Sequence, residues 1–256
     1  MQLRFVRMVL VSYIGISRAR EAELLREWAI RSGGMKAVRK VAAIYDIHGN
    51  VPALEAVLDD IDRAHVDCIV VGGDVAWGPD PAVVMKLLMM LPGDVRFIRG
   101  NADREVAGRY GVEQGLEPWV ADINRWCAAQ LTPEQLEFLR DLPDSMSLDI
   151  EGFGSVLFVH GSPRSDEESI RIDTPASEVQ TMVEGVVEPT IVSGHTHIQF
   201  DRHIGRKRTV NPGSVGLQSA ARGACWALFG SDVELRQTLY DVKAAAERIR
   251  RTGVKV

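Results

Sequence analysis

The sequence predicts an α/β (α+β) fold in which two mixed β-sheets pack as a sandwich and are flanked by helices. Strand and helix patterns alternate in the first half of the chain, whereas the second half is richer in strands. Elements of both kinds bury their apolar faces by packing in layers around a shared core. Hydrophobic residues make up 46% of the 256 residues, which is a normal share for a globular protein with a large core.

Short apolar runs predict buried strands in the first half, and amphipathic segments predict helices between them. The strands expected here cover residues 41–45, 68–71 and 95–98. The helices expected here begin after Asn50, span 81–91 and fill most of 103–142. Asn50 is a typical helix cap, and Thr132 with Gln135 forms a capping-box pattern that predicts another helix start.

The second half of the sequence is expected to form the remaining strands and one last helix. The strands expected here cover residues 156–159, 190–192, 208–210, 224–229 and 233–239. Gly230 and Ser231 favour a hairpin turn between the last two strands. A terminal helix is expected at 242–251.

The N-terminal segment differs from the rest of the chain. Met35 stands directly before the first predicted strand, so residues 1–34 are interpreted as an N-terminal extension or a misassigned start. A short helix is expected within this segment at 22–30. No linker interrupts the later sequence, and we therefore predict one domain over residues 35–256.

Composition excludes several classes of function. The net charge of −5 argues against a general nucleic-acid binder, which would usually present a basic face. The three cysteines have neither zinc-site spacing nor a disulfide pattern, which favours a reducing, cytoplasmic location. No stretch of the sequence is long and apolar enough to cross a membrane.

Five short glycine-rich motifs each follow a predicted strand. They are Asp46-Ile47-His48-Gly49-Asn50, Gly72-Gly73-Asp74, Gly100-Asn101, His160-Gly161 and Gly194-His195-Thr196-His197. Four of the six histidines lie in these motifs. In open α/β sheets the binding sites lie at the carboxyl ends of strands, so we expect the motifs to converge there.

The motifs supply the donors that a pair of metal ions requires. Carboxylate and amide oxygens occur together with imidazole nitrogens, a mixture that suits manganese, iron or zinc. The two oxygens of Asp74 could reach two ions at once, which makes this residue the expected bridge. Two ions ~3.5–4 Å apart would hold a bridging hydroxide and bind a phosphoryl oxygen.

With these residues the chain resembles the calcineurin-like metallophosphoesterases over about residues 40–240. Within the superfamily it resembles the bacterial branch of small phosphodiesterases and diadenosine-tetraphosphate hydrolase-like phosphatases. Besides the first motif, the segments that carry this finer resemblance are Pro52-Ala53-Leu54, Gly78-Pro79-Asp80-Pro81, His160-Gly161-Ser162-Pro163-Arg164 and Asn211-Pro212-Gly213-Ser214. The resemblance implies a metallophosphatase fold, a β-sandwich flanked by helices.

The resemblance also implies a role for each donor. One ion would be bound by Asp46, His48 and His197 and the other by Asn101, His160 and His195, with Asp74 shared between them. The residues implied in catalysis are Asp46, His48, Asp74, Asn101 and His160. Both ions would be divalent, with manganese as the first candidate and iron, nickel, cobalt and zinc as alternatives.

One position departs from the family pattern. Many members have a histidine after the Gly-Asn pair, where it helps to protonate the leaving group or holds the phosphate, and this chain has Ala102 there. General acid catalysis contributes roughly 10²–10⁴-fold, and it matters least when the leaving group is a weak base. We therefore expect a preference for phosphoanhydrides and activated diesters over alkyl monoesters.

Other residues near the motifs could contact the substrate. Arg164, Arg104 and Arg99 could bind phosphate oxygens through paired hydrogen bonds or lie exposed on loops and helices. Asn101 is also expected to contact the substrate beside the metal ions. Trp77 could stack on a base or belong to the core. Asp103 could orient a neighbouring metal ligand.

Three functions remain open from the sequence. The first is a metal-dependent hydrolase, a phosphodiesterase or phosphatase that acts on small phosphorylated molecules such as dinucleotide polyphosphates. The second is a non-catalytic scaffold with the same fold, although such proteins typically lose metal ligands. The third is a nuclease, which the acidic net charge does not favour. A homo-oligomer is compatible with all three, and no membrane partner is expected.

Overall fold

A computed structural model of the chain describes residues 38–253. The predicted N-terminal extension at 1–34 and the helix expected at 22–30 lie outside the described residues. Among residues 38–253, no helix is both long and apolar enough to cross a lipid bilayer.

The first sheet combines three parallel strands with a C-terminal hairpin. Its strands are β1 (Val41–Ile44), β2 (Cys68–Val71), β3 (Asp94–Phe97), β9 (Ala224–Phe229) and β10 (Val233–Thr238). Their order across the sheet is β10-β9-β1-β2-β3. β1 pairs parallel with β2 and antiparallel with β9, so the sheet is mixed as predicted.

The second sheet is also mixed and has five strands. They are β4 (Ser145–Ile150), β5 (Gly154–Val159), β6 (Thr190–Val192), β7 (Phe200–Ile204) and β8 (Lys207–Asn211). Their order is β4-β5-β6-β8-β7. β5, β6 and β8 run parallel, whereas β4 and β7 pair antiparallel at the two edges.

Seven α-helices are described between or after these strands. They are α1 (Val51–Ala64), α2 (Pro81–Met89), α3 (Asn101–Gly108), α4 (Pro118–Gln130), α5 (Pro133–Arg140), α6 (Ala176–Met182) and α7 (Val242–Thr252). A short 3₁₀-helix lies at Val112–Gln114. Asn50 caps α1 by accepting a hydrogen bond from the Ala53 N–H, and Thr132 and Gln135 form the predicted capping box of α5.

Strand β1 shows how the layers are built, because its alternate side chains point to opposite faces. Ala42 and Ile44 belong to the cluster under the helices, which includes Leu54 of α1. Ala43 packs on the other face in a cluster that contains Phe158 of the second sheet. Both faces of this sheet are therefore buried, which confirms the predicted sandwich with flanking helices.

Three elements were not expected from the sequence. The edge strands β4 and β7 and the short helix α6 lie in segments for which no structure was predicted. The elements that were expected within residues 38–253 are present, and their ends differ from the predictions by a few residues. The expected strand at 233–239, for example, ends at Thr238.

Candidate metal centre

The five motifs converge at the carboxyl ends of the strands that precede them. The donor atoms of Asp46, His48 and His197 lie within 4.8 Å of one another, and so do those of Asp74, His160 and His195. We call these the first and second donor groups. The seventh predicted donor, Asn101, places its Oδ1 3.2 Å from His160 Nε2, beside the second group. All seven predicted donors are thus brought together.

Asp74 belongs to the second donor group and also lies close to the first. Its Oδ2 is 3.4 Å from Nε2 of His160 in the second group and 3.7 Å from Nε2 of His48 in the first. A carboxylate in this position has access to both groups, as expected of a shared ligand. Whether it bridges two ions stays a prediction.

Two histidines are held in the tautomer that metal binding requires. The Nδ1 atom of His48 lies 3.1 Å from the Trp77 carbonyl oxygen, and that of His160 lies 2.9 Å from the Gly72 carbonyl oxygen. Since a carbonyl oxygen only accepts, Nδ1 must donate in both rings. In a neutral ring this leaves the Nε2 lone pair directed into the site, which is how backbone carbonyls orient metal-binding histidines.

Distances in the first group also fit a cation. The Nε2 atoms of His48 and His197 are 3.1 Å apart. Two nitrogens on one tetrahedral ion, each at about 2.05 Å, would be separated by roughly 3.3 Å. The donor chemistry and this spacing show that the residues present are suited to divalent ions.

The orientation of Asn101 depends on two residues outside the predicted motifs. Asn101 donates from Nδ2 to Glu105 Oε1 at 3.3 Å, which leaves its Oδ1 facing His160. Glu105 is buried and accepts a second hydrogen bond from Asn124 at 3.3 Å. Because a carboxylate only accepts, Glu105 selects the amide orientation in which the oxygen points to the site.

Buried charges perturb the pKa values of this centre. Burial alone would lower the pKa of His160, but the nearby carboxylates of Asp74 and Asp46 outweigh it and raise the pKa to about 10. Burial alone would raise the pKa of Asp74, but His160 and His48 hold it below its usual range. Burial lowers the pKa of His48 despite both carboxylates. Since metal ligation requires neutral histidine, a cation would displace the proton on His160.

Five of the seven donors have an unusual backbone conformation. The φ angles are 54° at Asp46, 47° at His48, 53° at Asp74, 64° at His195 and 60° at His197. Non-glycine residues rarely adopt positive φ, and such residues cluster at functional sites. These sharp turns crowd the backbone: a Cβ on Gly100 would lie 2.2 Å from Asp74 Oδ1, so only glycine fits there.

Further residues hold the loops that carry the donors. Asp103 accepts hydrogen bonds from the N–H groups of Val75 at 2.8 Å, Ala76 at 3.1 Å and Gly100 at 3.2 Å. This supports the orienting role that was expected of it.

On the opposite side, Ser214 donates to the Asp46 carbonyl oxygen at 2.7 Å, and Asn211 donates to the Gly194 carbonyl oxygen at 2.8 Å. The segment Asn211-Pro212-Gly213-Ser214, which carried only a resemblance in the sequence, therefore ties the first and last motifs in place.

The predicted substrate-binding arginines line a cavity beside His160. Its volume is about 360 Å³, and Arg99, Arg104 and Arg164 contribute to its wall. Each guanidinium is already paired. Arg104 binds Asp166 and Glu167, both at 2.7 Å, Arg164 binds Glu168, and Arg99 binds Asp144. These carboxylate partners were not predicted from the sequence.

Comparison with known proteins decides the family. A model of the calcineurin-like phosphoesterase superfamily domain matches residues 40–232, which is most of the chain. The chain belongs to this superfamily. An uncharacterized protein of Methanocaldococcus jannaschii is 30% identical to this chain in an alignment of 233 residues. The match covers 82% of this chain and 91% of the relative.

Two solved structures are similar over most of the chain. A metallophosphoesterase from Sphaerobacter thermophilus is 27% identical with a TM-score of 0.69, over 86% of this chain and 96% of that one. A hypothetical protein from Pyrococcus horikoshii OT3 has a TM-score of 0.76 at 24% identity, over 84% of this chain and 94% of that one. The second likeness concerns the fold alone.

The superfamily and the two donor groups together fit a metal-dependent phosphoesterase that uses divalent ions. The predicted resemblance to calcineurin-like phosphoesterases is confirmed at this level. The finer assignment to the diadenosine-tetraphosphate hydrolase-like branch stays a prediction, and so does the choice of manganese.

Proposed function

We propose that the protein is a dinuclear phosphoesterase that hydrolyses phosphodiester, phosphoanhydride or phosphomonoester bonds of small molecules. The observation that carries the proposal is the position of Asp74, whose Oδ2 lies within 3.7 Å of one histidine nitrogen from each donor group. A carboxylate shared in this way would hold two ions close enough to act on one phosphoryl group.

The residues have distinct tasks in this proposal. Asp46, His48 and His197 would hold one ion, and the second donor group with Asn101 would hold the other. When bound, the ions would activate water and offset the charge that develops on the phosphoryl oxygens. Within the protein, the carbonyl oxygens of Trp77 and Gly72 keep the rings of His48 and His160 in the required tautomer.

Substrate binding is assigned to the cavity beside His160. Arg104, Arg164 and the Asn101 amide would contact phosphate oxygens or neighbouring polar groups of the substrate. Because the guanidinium groups of both arginines are paired with carboxylates, a long polyphosphate would gain less from them than from unpaired arginines. A dinucleotide polyphosphate is a candidate substrate, and a diester with a single phosphate fits the charge of the cavity better.

The leaving group is expected to depart without much proton transfer from the protein. Ala102 offers only its backbone N–H, which donates to Asp74 Oδ1 at 2.9 Å, and it has no titratable side chain. An alkoxide leaving group needs a proton in the transition state, whereas nitrophenolate or a nucleotide phosphate does not. The rate should therefore fall steeply as the basicity of the leaving group rises.

A leaving-group series tests this proposal. Purified protein would be loaded with each candidate metal, its metal content measured, and kcat/KM determined for bis-p-nitrophenyl phosphate, p-nitrophenyl phosphate, diadenosine tetraphosphate, a cyclic nucleotide and an alkyl monoester. Substitution Ala102→His should raise the rate for the alkyl monoester more than that for the nitrophenyl esters. Equal rates for alkyl and nitrophenyl monoesters in the unmodified protein would contradict the leaving-group preference. Inactivity of the fully loaded protein toward the whole panel would reject the phosphoesterase.

A further inference from the structure

Two tryptophan rings lie one behind the other in space, from the first donor group to the protein surface. The ring of Trp77 meets the ring of His48 edge to face, with 5.6 Å between the centroids. The ring of Trp119 meets that of Trp77 in the same way at 6.4 Å. The Trp77 carbonyl oxygen also contacts His48 Nδ1. The aromatic pair is thus directly connected to a predicted metal ligand.

The second tryptophan is held by a well-anchored element. Trp119 lies in the first turn of α4, the helix that also carries the buried Cys127. The Gly78 N–H, next to Trp77, contacts Cys127 Sγ at 3.4 Å. The Gly49 N–H in turn donates to the Val75 carbonyl oxygen at 3.0 Å. These contacts join α4, the Trp77 loop and the His48 loop into one connected unit.

Trp119 is nevertheless 57% exposed, although tryptophan is among the most hydrophobic side chains. Ile198, which directly follows the donor His197, is 37% exposed. Exposed apolar groups around a polar site often mark the place where a ligand binds. On the side of His160, by contrast, the cavity is lined by paired arginines and carboxylates. An aromatic group of a substrate would therefore be better accommodated on the side of His48.

We propose that Trp119, supported by Trp77, stacks on the nucleobase of a nucleotide whose phosphate lies at the metal centre. This inference rests on the proposed function, because it assigns the phosphate to the two donor groups. Stacking on an aromatic side chain contributes about 1–3 kcal/mol per base and tolerates different bases, since every base has a π-face. The protein would therefore select nucleotides over other phosphate esters without strong selection among the bases.

Equilibrium binding of AMP and ribose 5-phosphate to the full, metal-loaded chain tests the inference. The two ligands carry the same alkyl phosphate and differ in the base. As alkyl monoesters, both should be hydrolysed slowly on the time scale of calorimetry. AMP should bind more tightly than ribose 5-phosphate. Substitution Trp119→Ala should weaken AMP binding by roughly 5- to 100-fold and change ribose 5-phosphate binding by less than about twofold.

Two further variants control for indirect effects. Trp119→Phe keeps an aromatic face and should keep most of the preference for AMP. Val187→Ala also removes an exposed apolar side chain, but it lies before β6, at the end of the strand opposite the donors, and should change neither affinity. Circular dichroism of each variant would establish that it is folded.

The outcomes separate this inference from the proposed function. Equal affinity for AMP and ribose 5-phosphate in the unmodified protein would overturn the nucleobase site, as would an equal loss for both ligands in Trp119→Ala. A Trp119-dependent preference for AMP in a protein that hydrolyses no phosphate ester would support the nucleobase site and reject the phosphoesterase. Hydrolysis of phosphate esters without any preference for AMP would support the phosphoesterase and reject the nucleobase site.

Discussion

The two sheets contribute different chemistry to the metal centre. The segments that follow strands of the first sheet supply Asp46, His48, Asp74 and, at the start of α3, Asn101. The segments that follow strands of the second sheet supply His160, His195 and His197. Both carboxylates among the predicted donors therefore come from the first sheet, and the second sheet contributes only imidazoles. The negative charge of the site and most of its nitrogen donors thus belong to opposite halves of the sandwich.

This division means that neither half can form the site alone. Asp46 and Asp74 are both buried, and two buried carboxylates repel each other unless a cation or a proton is close. The second sheet supplies His160 close to these carboxylates, and the His195 N–H donates to Asp46 Oδ2 at 3.1 Å. Metal binding should accordingly depend on the junction between the sheets, and it should stabilise that junction in return.

The largest effect should follow from neutralising the shared carboxylate. Asp74→Asn should lower kcat/KM by about 10³-fold or more, because a metal centre contributes several kcal/mol to the stabilisation of the transition state. It should also reduce the number of bound metal ions. Asp59→Asn removes an exposed carboxylate from α1 and serves as the control. If the unmodified protein showed no turnover and bound a protein partner equally well with and without Asp74→Asn, the scaffold would be favoured instead.

A smaller loss is expected from the residues that orient the donor loops. Asp103→Asn should lower kcat/KM by roughly 10- to 100-fold, the usual effect of removing a group that positions metal ligands. Ser214→Ala should cost less, because the Asp46 carbonyl oxygen also accepts from the Gly216 N–H at 3.0 Å. Metal titration should partly restore activity in both variants. A greater loss in Ser214→Ala would show that the loop of Asp46 depends more on the Ser214 hydroxyl than the loops of Val75 and Gly100 depend on Asp103.

Metal removal should have a moderate effect on stability. A ligand present at about 100 times its Kd stabilises the folded state by about 2.7 kcal/mol, which corresponds to a Tm change of roughly 5–10 °C for a chain of this size. Scanning calorimetry with and without a chelator would measure the change. In Asp74→Asn the same chelator should shift Tm much less. An unchanged Tm in the unmodified protein would show that the ions do not stabilise the junction between the sheets.

The smallest effect concerns the cysteines, all of which lie in or against the first sheet. Burial raises the pKa of Cys68 to about 12 and those of Cys127 and Cys225 to about 11. The folded protein should not react with a thiol reagent such as DTNB at pH 8, and three thiols should react in denaturant. Chelation should leave this result unchanged. Labelling of Cys225 after chelation would indicate that the ions support the first sheet itself.

Much of the fold and of the donor set could be predicted because the signals are local. Strands such as β2 and β6 are continuous apolar runs, and each motif follows its strand directly. The carboxyl ends of parallel strands meet at one edge, so the strand assignments alone predict that the motifs approach each other. That reasoning predicted that the motifs of Asp46 and His197 converge although about 150 positions separate them. The pairing of these two residues on one ion was implied by the family resemblance, and the two side chains are 3.5 Å apart.

The elements that were not predicted lack such signals. β4 has no continuous apolar run, but Met146, Leu148 and Ile150 alternate with polar residues, a pattern typical of a half-buried strand that was missed. β7 has the polar residues 201–203 at its centre. α6 buries only Val179, so its periodicity is too weak to recognise. Edge strands and short surface helices depend on the neighbours that cover them, and the identity of those neighbours is a property of the folded chain.

The buried polar network could not be anticipated either. Glu105 lies on α3, where a glutamate is usually solvated, yet it is buried and bound to Asn101 and Asn124. In the same way, the partners of Arg104 come from a loop some 60 positions away. Charged residues that form long-range pairs leave no periodic trace in a sequence.

The left-handed conformation of five donors also restricts how this chain could evolve. Asparagine, aspartate and glycine tolerate that backbone, whereas valine, isoleucine and threonine do not. Among single substitutions at these positions, those to small polar residues or glycine would therefore be tolerated best. In a descendant that no longer needed metal ions, these positions would no longer have to keep the left-handed conformation. Its loss of chemistry would then be visible as ordinary right-handed backbone where the donors of its ancestor stood.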